Sequence, residues 1–239
     1  LIEWTDRNIA NTTFEGTARE LVRLQLPTPI HPMGEMTFNP TARRGDPDWR
    51  VMYVGVGDAG TGEQRDIRRL NPQRLDNLNG KILRIVPDLR EHRSTSTVSD
   101  NGRYQIPNDN PFSTVEGACK EIWAAGIRNP HRLVWDVDPA RPREPLLLAS
   151  NIGLASWETV LIIHKGANYG YPLREGTQLI YATLPTVADM RTGAYASGGI
   201  ECGMLHMAHA QMAHFYNVPC GGYIGLTNSK INDAQSGYE

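Results

Sequence analysis

Residues 31–40, HPMGEMTFNP, place His31 beside a proline and just ahead of an apolar stretch that continues into RVMYVGVGDAG. A loop imidazole at the start of a strand can act as a general base, because its unperturbed pKa is about 6.5 and its neutral form accepts a proton at working pH. On this stretch alone, a surface histidine without a chemical role is the more ordinary interpretation. The two interpretations differ in whether another functional side chain must lie next to the imidazole ring.

A second group of candidate ligands lies near the end of the chain, where MLHMAHAQMAHFYNVPCGG holds His206, His209 and His214. The spacing of His206 and His209 would place them on one helix face, so a metal or haem site is conceivable. No carboxylate or cysteine joins them at ligand spacing, and the surrounding methionines and alanines favour packing. We therefore prefer a structural role for these histidines.

The three cysteines, Cys119, Cys202 and Cys220, form no CxxC pair. Their spacing argues against a zinc ribbon and against a thioredoxin-type redox motif. A bridge between Cys202 and Cys220 and a set of scattered buried thiols both remain open.

The composition is that of an ordinary soluble globular protein, with 239 residues, 40% of them hydrophobic and 21% charged. Lys and Arg number 24 against 26 Asp and Glu, so the net charge of -2 provides no broad attraction to nucleic acid or anionic lipid. The sequence contains no apolar run long enough for a transmembrane helix and no signal-peptide pattern at its start. It begins abruptly at LIEWT, and we expect it to be a fragment.

Short apolar runs separated by turn residues must position these side chains. The chain has 23 glycines and 16 prolines, and they punctuate runs predicted as strands at 20–26, 50–57, 80–87, 132–138, 145–150 and 158–166. Leu83 with Ile85, and Val134 with Asp136, suggest alternation between two faces. Residues 133–150 are typical of a hairpin with an Asp-Pro turn. Regularly spaced strands of this kind predict a sandwich, a barrel or a propeller.

Long polar loops separate some of these strands, chiefly at 59–79 and 88–121. Loops of this length in a compact domain are usually functional or disordered. In IPNDNPF, Asp109 and Asn110 are candidates for capping backbone N–H groups.

Six motifs occur in one order along residues 28 to 176: HPMGEMTFNP with VMYVGVGDAG, LNGKILRIVPD, YQIPNDNPF, EIWAAGIRNPHRLVWDVDP, SNIGLASWETV and GANYGYPLREG. Together they resemble the glucose/sorbosone dehydrogenase family of quinoproteins, which includes the soluble glucose and aldose sugar dehydrogenases that depend on pyrroloquinoline quinone (PQQ).

The resemblance implies an all-β fold, a six-bladed β-propeller with the cofactor over the central channel. Because a blade takes roughly 40 to 50 residues, we expect this chain to cover only part of the propeller. We treat 1–239 as a single propeller domain in which 28–176 carries the family motifs and 177–239 is divergent.

The opening histidine gains a role from this resemblance. His31 matches the catalytic base that takes the proton of the anomeric hydroxyl while a hydride passes to the quinone. Asp58, in GVGDAG, matches the aspartate that orients this histidine, although a plain turn residue is the alternative without the family. Gln64 matches a glutamine that contacts the sugar.

Arg128 and Asn129, in GIRNP, match the pair that holds the cofactor. PQQ carries three carboxylates, and a guanidinium can bind one of them through two parallel hydrogen bonds. A buried structural arginine is the alternative. Arg191 and Lys230 are the basic residues that follow Arg174, so the further cations that the family uses to clamp the cofactor are not found here.

Calcium is also implied by the resemblance, with backbone carbonyls of Gly153 and Leu154 as the matching ligands. Asn151 stands where many relatives have aspartate, and Leu154 and Ala155 stand where relatives often have polar residues. Trp157 and Glu158 are expected to hold this loop from below, and GANYGYP is expected to form a tight turn anchored by Tyr169 and Tyr171.

The function implied is oxidation of the anomeric carbon of an aldose to a lactone by a PQQ-dependent dehydrogenase. The expected partners are a sugar and an external electron acceptor, with no nucleic acid, and the expected location is periplasmic or secreted. Two alternatives stay open, a non-catalytic propeller that binds sugar or protein and a lactone hydrolase that uses calcium.

Overall fold

The computed structural model describes residues 1–63, 67–154 and 157–176, together with the backbone of 178–179 and 222–225. The strands are β1 (Ile2–Asp6), β2 (Gly16–Glu20), β3 (Met33–Phe38), β4 (Met52–Val56), β5 (Lys81–Ile85), β6 (Ser96–Val98), β7 (Gln105–Pro107), β8 (Ile122–Ala125), β9 (Pro130–Asp136), β10 (Leu146–Asn151), β11 (Thr159–Ile162), β12 (Arg174–Glu175), β13 (Gln178–Leu179) and β14 (Gly222–Gly225). Within these residues the helices are two 3-10 helices, Thr61–Glu63 and Ile67–Gln73, and neither could cross a membrane. The all-β class is confirmed.

Two four-stranded antiparallel sheets dominate the architecture. The first has the order β3-β4-β5-β8, and the second places β9, β10, β11 and β14 side by side. The predicted hairpin at 133–150 is confirmed, since β9 and β10 pair with Leu148 opposite Val134. Within each sheet the strands follow one another in chain order, with β6 and β7 inserted between β5 and β8, and with β12 and β13 inserted between β11 and β14.

The strand directions bring several loops to one edge. β3 and β5 begin at the edge where β4 and β8 end, because each pair in this sheet is antiparallel. In the second sheet β9 and β11 begin where β10 ends. Gly34 and Gly55 let β3 and β4 approach β9 closely, because a Cβ at these positions would lie 3.1 and 2.6 Å from the Pro130 carbonyl oxygen. The loops at this end, here called the His31 edge, are 28–32, 57–63, 126–129 and 152–154.

The core fills the spaces on both faces of β5. One cluster of buried side chains, which includes Tyr53, Ile82 and Leu161, joins the two sheets. The other, which includes Leu83 and Ile85, packs on the opposite face. All five positions of β5 are therefore buried, and the expected alternation between two faces is confirmed, since Leu83 and Ile85 lie in one cluster and Ile82 lies in the other.

Two other expectations from the apolar runs have different outcomes. The alternation expected in β9 is confirmed, with Leu133 buried and Val134 57% exposed. The strand expected at 20–26 is wrong, because β2 ends at Glu20 and the following Leu21 and Val22 are buried outside a strand. Burial rather than strand pairing accounts for that apolar run.

The long loops carry secondary structure of their own. The two 3-10 helices lie within 59–79, and β6 pairs with β7 within 88–121. Asp109 and Asn110 bind the buried Arg84 instead of capping backbone N–H groups as expected. Nη1 of Arg84 donates to Asp109 Oδ1 at 2.7 Å and to Asn110 Oδ1 at 3.1 Å. A guanidinium that is 1% exposed requires such acceptors, since a buried charge without partners is costly.

Lys81, the first residue of β5, is fully buried close to the His31 edge. Its ammonium group donates to the carbonyl oxygens of Asn71, Pro72 and Asn79 at 2.9, 2.9 and 2.6 Å. Burial lowers the pKa of Lys81 to about 7. The side chain thus ties the loop of the second 3-10 helix to the first sheet.

We expect Lys81→Met to lower the free energy of unfolding by about 1–3 kcal/mol at neutral pH. The Asn79 carbonyl loses the Lys81 ammonium, whereas Pro72 retains a bond from the Gly126 N–H. Urea unfolding followed by circular dichroism measures this change. A destabilisation below the error of the method would contradict a tethering role.

The wild type and Lys81→Met should differ in how the free energy of unfolding depends on pH. The unfolded lysine keeps its proton well above pH 8.5, whereas the folded one loses it above about pH 7, so the unfolded state binds more protons in this window. The stability of the wild type should therefore rise relative to Lys81→Met between pH 7 and 8.5, by up to about 1.4 kcal/mol per pH unit. An equal difference in the free energy of unfolding between the wild type and Lys81→Met at pH 7 and at pH 8.5 would contradict the lowered pKa.

Candidate functional site

His31 and Asp58 meet at the His31 edge. Nδ1 of His31 lies 2.7 Å from Oδ1 of Asp58, with the histidine side chain 15% exposed and the aspartate side chain fully buried. Asp58 also accepts hydrogen bonds from the backbone N–H groups of Gly60 and Gly62, both at 2.9 Å. These contacts fix the carboxylate, and the carboxylate in turn orients the imidazole ring.

The backbone around this pair is closely packed and partly left-handed. His31 has a φ of +46° and Ala59 a φ of +53°, a region that non-glycine residues seldom occupy and that is often found at functional sites. The N–H of Gly57 donates to the Pro32 carbonyl, and the N–H of Ala59 donates to the His31 carbonyl. The two loops therefore hold each other in register.

Gly57 is the position where this approach is tightest. A Cβ there would lie 2.3 Å from the His31 carbonyl oxygen and 2.7 Å from the His31 Cβ. We expect Gly57→Ala to push the 31–32 loop away from Asp58 and to lower the free energy of unfolding by about 1–3 kcal/mol. The shift should appear in the histidine ring resonances of an NMR spectrum as well as in thermal unfolding. Unchanged His31 resonances would contradict this steric argument.

Arg128 and Asn129 lie next to the first pair. Both residues are 8% exposed, and the N–H of Asp58 donates to the Arg128 carbonyl at 2.7 Å. The Oδ1 atom of Asn151 accepts the backbone N–H groups of both residues, at 3.2 and 3.0 Å. The end of β10 thus holds the Arg128 turn against the Asp58 loop, so four of the predicted residues belong to one site.

The Arg128 guanidinium contacts the loop predicted to bind calcium. Its Nη1 donates to the Gly153 carbonyl at 2.7 Å and to the Ile152 carbonyl at 3.2 Å. A cation therefore already occupies the oxygen that the resemblance assigns to calcium. In this arrangement the residues present do not fit a calcium ion, because a guanidinium and a divalent cation repel each other at one carbonyl.

Carboxylates near this loop are engaged by its backbone. Glu158 accepts the N–H of Gly153 at 3.2 Å, and Glu175, which is buried, accepts the N–H of Leu154. Glu158 therefore supports the loop as expected. In the described part of the chain, no group of three or more His, Cys, Asp or Glu side chains is arranged to hold a metal.

The donor set does fit an acidic quinone in part. Arg128 and Arg174 line a cavity of about 10 Å³ with Tyr171 and Glu175, which is too small for a quinone, so the fit rests on donor chemistry alone: a guanidinium suits a carboxylate. The Asn129 side-chain amide has no hydrogen-bond partner among the described residues, so it is available to a ligand. Arg128 and Asn129 are thus chemically suited to the acidic and carbonyl groups of PQQ.

Several predicted residues fall outside this description. Gln64 lies in the undescribed residues 64–66, and the histidines at 206, 209 and 214 lie within 180–221, as do Cys202 and Cys220. The expected GANYGYP turn is described, and it buries Tyr169 and Tyr171.

Sequence reasoning missed the parts played by Asn151 and Glu175. Asn151 was noted only as a departure from aspartate, although its amide also donates to Thr159 Oγ1 at 3.2 Å. An asparagine at the end of a strand, next to a loop that carries an arginine, indicates that its side-chain amide binds backbone N–H groups. Glu175 lies in none of the ligand patterns considered, and nothing in its neighbourhood in the sequence indicates its contact with Leu154.

Comparison with known proteins places most of the chain in one family. The profile of the family described as Glucose / Sorbosone dehydrogenase matches residues 30–215. The chain is 32% identical over 178 residues to the HIPL1 protein of Arabidopsis thaliana. The aligned segment covers 74% of this chain and 24% of that protein. It is also 32% identical over 124 residues to aldose sugar dehydrogenase YliI of Escherichia coli K12, covering 52% of this chain and 28% of that protein.

Two further matches are to a curated protein and to a solved structure. A glycine betaine methyltransferase from Desulfitobacterium hafniense (strain Y51) is 37% identical over 99 residues, which is 39% of this chain and 21% of that protein. Among solved structures, the PQQ-bound form of aldose sugar dehydrogenase from Streptomyces coelicolor is 26% identical, with a TM-score of 0.39 over 68% of this chain and 35% of that one. The chain spans about a quarter of the length of the curated relatives it matches.

Proposed function

Because the chain belongs to the glucose/sorbosone dehydrogenase family, we propose that it oxidises an aldose at the anomeric carbon with PQQ as the hydride acceptor. The observation that supports this proposal is the contact between His31 and the buried Asp58. The reaction would yield a lactone, and an external acceptor would reoxidise the cofactor.

His31 would act as the base. In the tautomer that donates Nδ1–H to Asp58, the Nε2 atom is unprotonated and free to accept the proton of the anomeric hydroxyl. The imidazolium that forms is stabilised by the adjacent carboxylate, which two backbone N–H groups hold in place. The bound quinone would supply an electrophilic carbon that accepts the hydride.

Arg128 and Asn129 would hold the cofactor close to this base. The bond between the Asp58 N–H and the Arg128 carbonyl sets the distance between the two parts of the site. Gln64 is proposed to contact the sugar. We derive no step through calcium at Gly153 and Leu154, since Arg128 already binds the Gly153 carbonyl.

The wider assignments are proposals of the same kind. The two four-stranded sheets would be blades of a six-bladed propeller, with residues 1–239 belonging to one propeller domain. A periplasmic or secreted location is proposed from the family.

Titration of the purified chain with PQQ, followed by addition of glucose and other aldoses, tests this function. Saturable binding and a sugar-dependent change in the quinone absorbance would support the dehydrogenase. Saturable binding of sugars without any spectral change would favour the non-catalytic alternative. Conversion of a lactone in the absence of quinone and acceptor would favour the hydrolase.

A second candidate concerns the methyltransferase match. A segment of 99 residues, 39% of the chain, is 37% identical to a glycine betaine methyltransferase. We propose that part of the chain binds a quaternary amine. Saturation-transfer NMR with glycine betaine, using glucose as the comparison ligand, tests this directly. Transfer to glucose alone would exclude this second candidate.

A further inference from the structure

A second cleft lies at the opposite end of the first sheet from the His31 edge. It is bounded by residues 44–49, which precede β4, by 91–95, which follow β5, and by 107–109 at the end of β7. β4 and β5 run between the two ends, and five residues at about 3.3 Å each separate them by roughly 15 Å or more. The cleft is therefore distinct from the candidate active site, and its role goes beyond the proposed function.

The size of the cleft is that of a ligand site. Its volume is about 830 Å³, which lies within the range of roughly 300–1,000 Å³ that is usual for sites of small organic ligands. This space exceeds what a single sugar ring requires.

The walls of the cleft are held by buried and paired groups. Arg84, whose side chain is 1% exposed, donates to Asp109 Oδ1 and to the Pro47 carbonyl, at 2.7 and 3.1 Å. Nε2 of His92 lies 2.6 Å from the Trp49 carbonyl oxygen. These contacts join the three bounding segments, so the cleft is formed before any ligand arrives.

The charges that line the cleft leave one cation available. The three lining carboxylates each face an arginine, in the pairs Asp46–Arg143 at 2.8 Å, Glu91–Arg50 at 3.4 Å and Asp109–Arg84 at 2.7 Å. Arg50 and Arg84 are shared with Asp88 and Asp48, at 3.6 and 3.1 Å, so neither is available to a ligand. Arg44 also lines the cleft, and it has no ion pair with any residue in the described ranges. The cleft therefore offers a single guanidinium to an anionic group.

Neutral groups next to Arg44 suit a polyhydroxylated ligand. The Ser94 hydroxyl and the Asn108 side-chain N–H groups have no acceptor among the residues described, and Asn108 Oδ1 accepts a bond from Thr97. Trp49 provides a half-buried aromatic ring in the same cleft, and Arg50 lies 5.8 Å from the centre of this ring. Donors and acceptors beside one aromatic face can hold hydroxyl groups and an apolar ring face together.

The backbone also singles out this cleft. Four non-glycine residues in the described part of the chain have a positive φ: His31 and Ala59 at the candidate active site, and Arg50 at +55° and His92 at +51° beside the cleft. Such conformations persist where the surrounding structure enforces them, and they cluster at functional sites.

We propose that the cleft binds an acidic oligosaccharide, with one sugar carboxylate on Arg44 and neighbouring rings against Trp49, Ser94 and Asn108. Arg44 can bind one carboxylate of such a chain, and the carboxylates of the other sugar units need not enter the cleft. The phosphate group of a nucleotide carries more charge and calls for more cations. The volume accommodates more than one sugar unit.

Isothermal titration of the full chain with trigalacturonate, and with maltotriose as the neutral ligand of equal length, tests this proposal. Arg44→Gln should weaken the binding of trigalacturonate about tenfold or more, because a charge-assisted bond is lost. Arg43→Gln is the matched control, since Arg43 is an exposed neighbour that does not line the cleft, and it should change the affinity by less than about twofold.

Each outcome decides the matter. Binding of trigalacturonate that depends on Arg44 but persists in His31→Ala supports a separate site. Absence of wild-type binding, equal affinity for maltotriose, or equal losses in Arg43→Gln and Arg44→Gln would each overturn the proposal. Because PQQ reduction is measured independently, failure here leaves the proposed dehydrogenase function untouched.

Discussion

Replacing His31 with alanine is expected to lower the turnover of sugar-dependent PQQ reduction by about 100- to 10,000-fold, the range typical of a positioned general base. PQQ affinity should remain the same, because Arg128 and Asn129 are left intact. Stopped-flow absorbance of the quinone in the loaded chain measures turnover, and a separate titration measures binding. The separation of the two quantities identifies His31 as a base rather than a ligand for the cofactor.

His164→Ala is the control for this experiment. The His164 side chain is exposed, and it lies after β11 at the end of the second sheet away from the His31 edge. It should leave turnover within about twofold of the wild type, as surface substitutions usually do. Equal losses in both variants, or full turnover in His31→Ala, would remove the histidine from the mechanism.

Asp58→Asn probes the same base through its partner. The carboxylate accepts three hydrogen bonds, on Oδ1 from His31 and Gly60 and on Oδ2 from Gly62. An asparagine must point its NH₂ group at one of these donors, so it cannot keep all three. We expect turnover to fall at least about tenfold, with an altered pH profile that a purely structural loss would not produce.

The relation between sequence and structure at this site depends on which atoms do the binding. The His31–Asp58 contact was predicted through family motifs, and the strand ends alone would have placed both residues at one edge. The position of the Arg128 side chain was not predictable, because its acceptors are the carbonyls of Ile152 and Gly153. Backbone acceptors are independent of residue type, so a motif carries no information about them.

In the fold, too, some elements were predictable from the sequence and others were not. Apolar runs at 50–57, 80–87 and 145–150 became strands because turn residues bound them on both sides. The run at 20–26 is also rich in apolar residues, yet its Leu21 and Val22 are buried outside a strand. A short apolar run predicts that its residues are buried more securely than it predicts which part of the chain buries them.

Arg128→Lys is expected to weaken PQQ binding by about 10- to 100-fold, because lysine keeps the charge and loses the planar fork that binds a carboxylate through two bonds. The buried guanidinium now donates to two carbonyls. A carboxylate of the cofactor must compete for these donors, and a charged acceptor makes the stronger hydrogen bond.

Arg132→Lys provides the matched control, since Arg132 is an exposed residue of β9 four positions further along the chain. The PQQ affinity of Arg132→Lys should stay within about twofold of that of the wild type. Equal affinities in the wild type and Arg128→Lys would mean that the guanidinium stays on the Ile152 and Gly153 carbonyls. Arg128 would then be a structural arginine that holds the 152–154 loop, and the cofactor would have to be held by other residues.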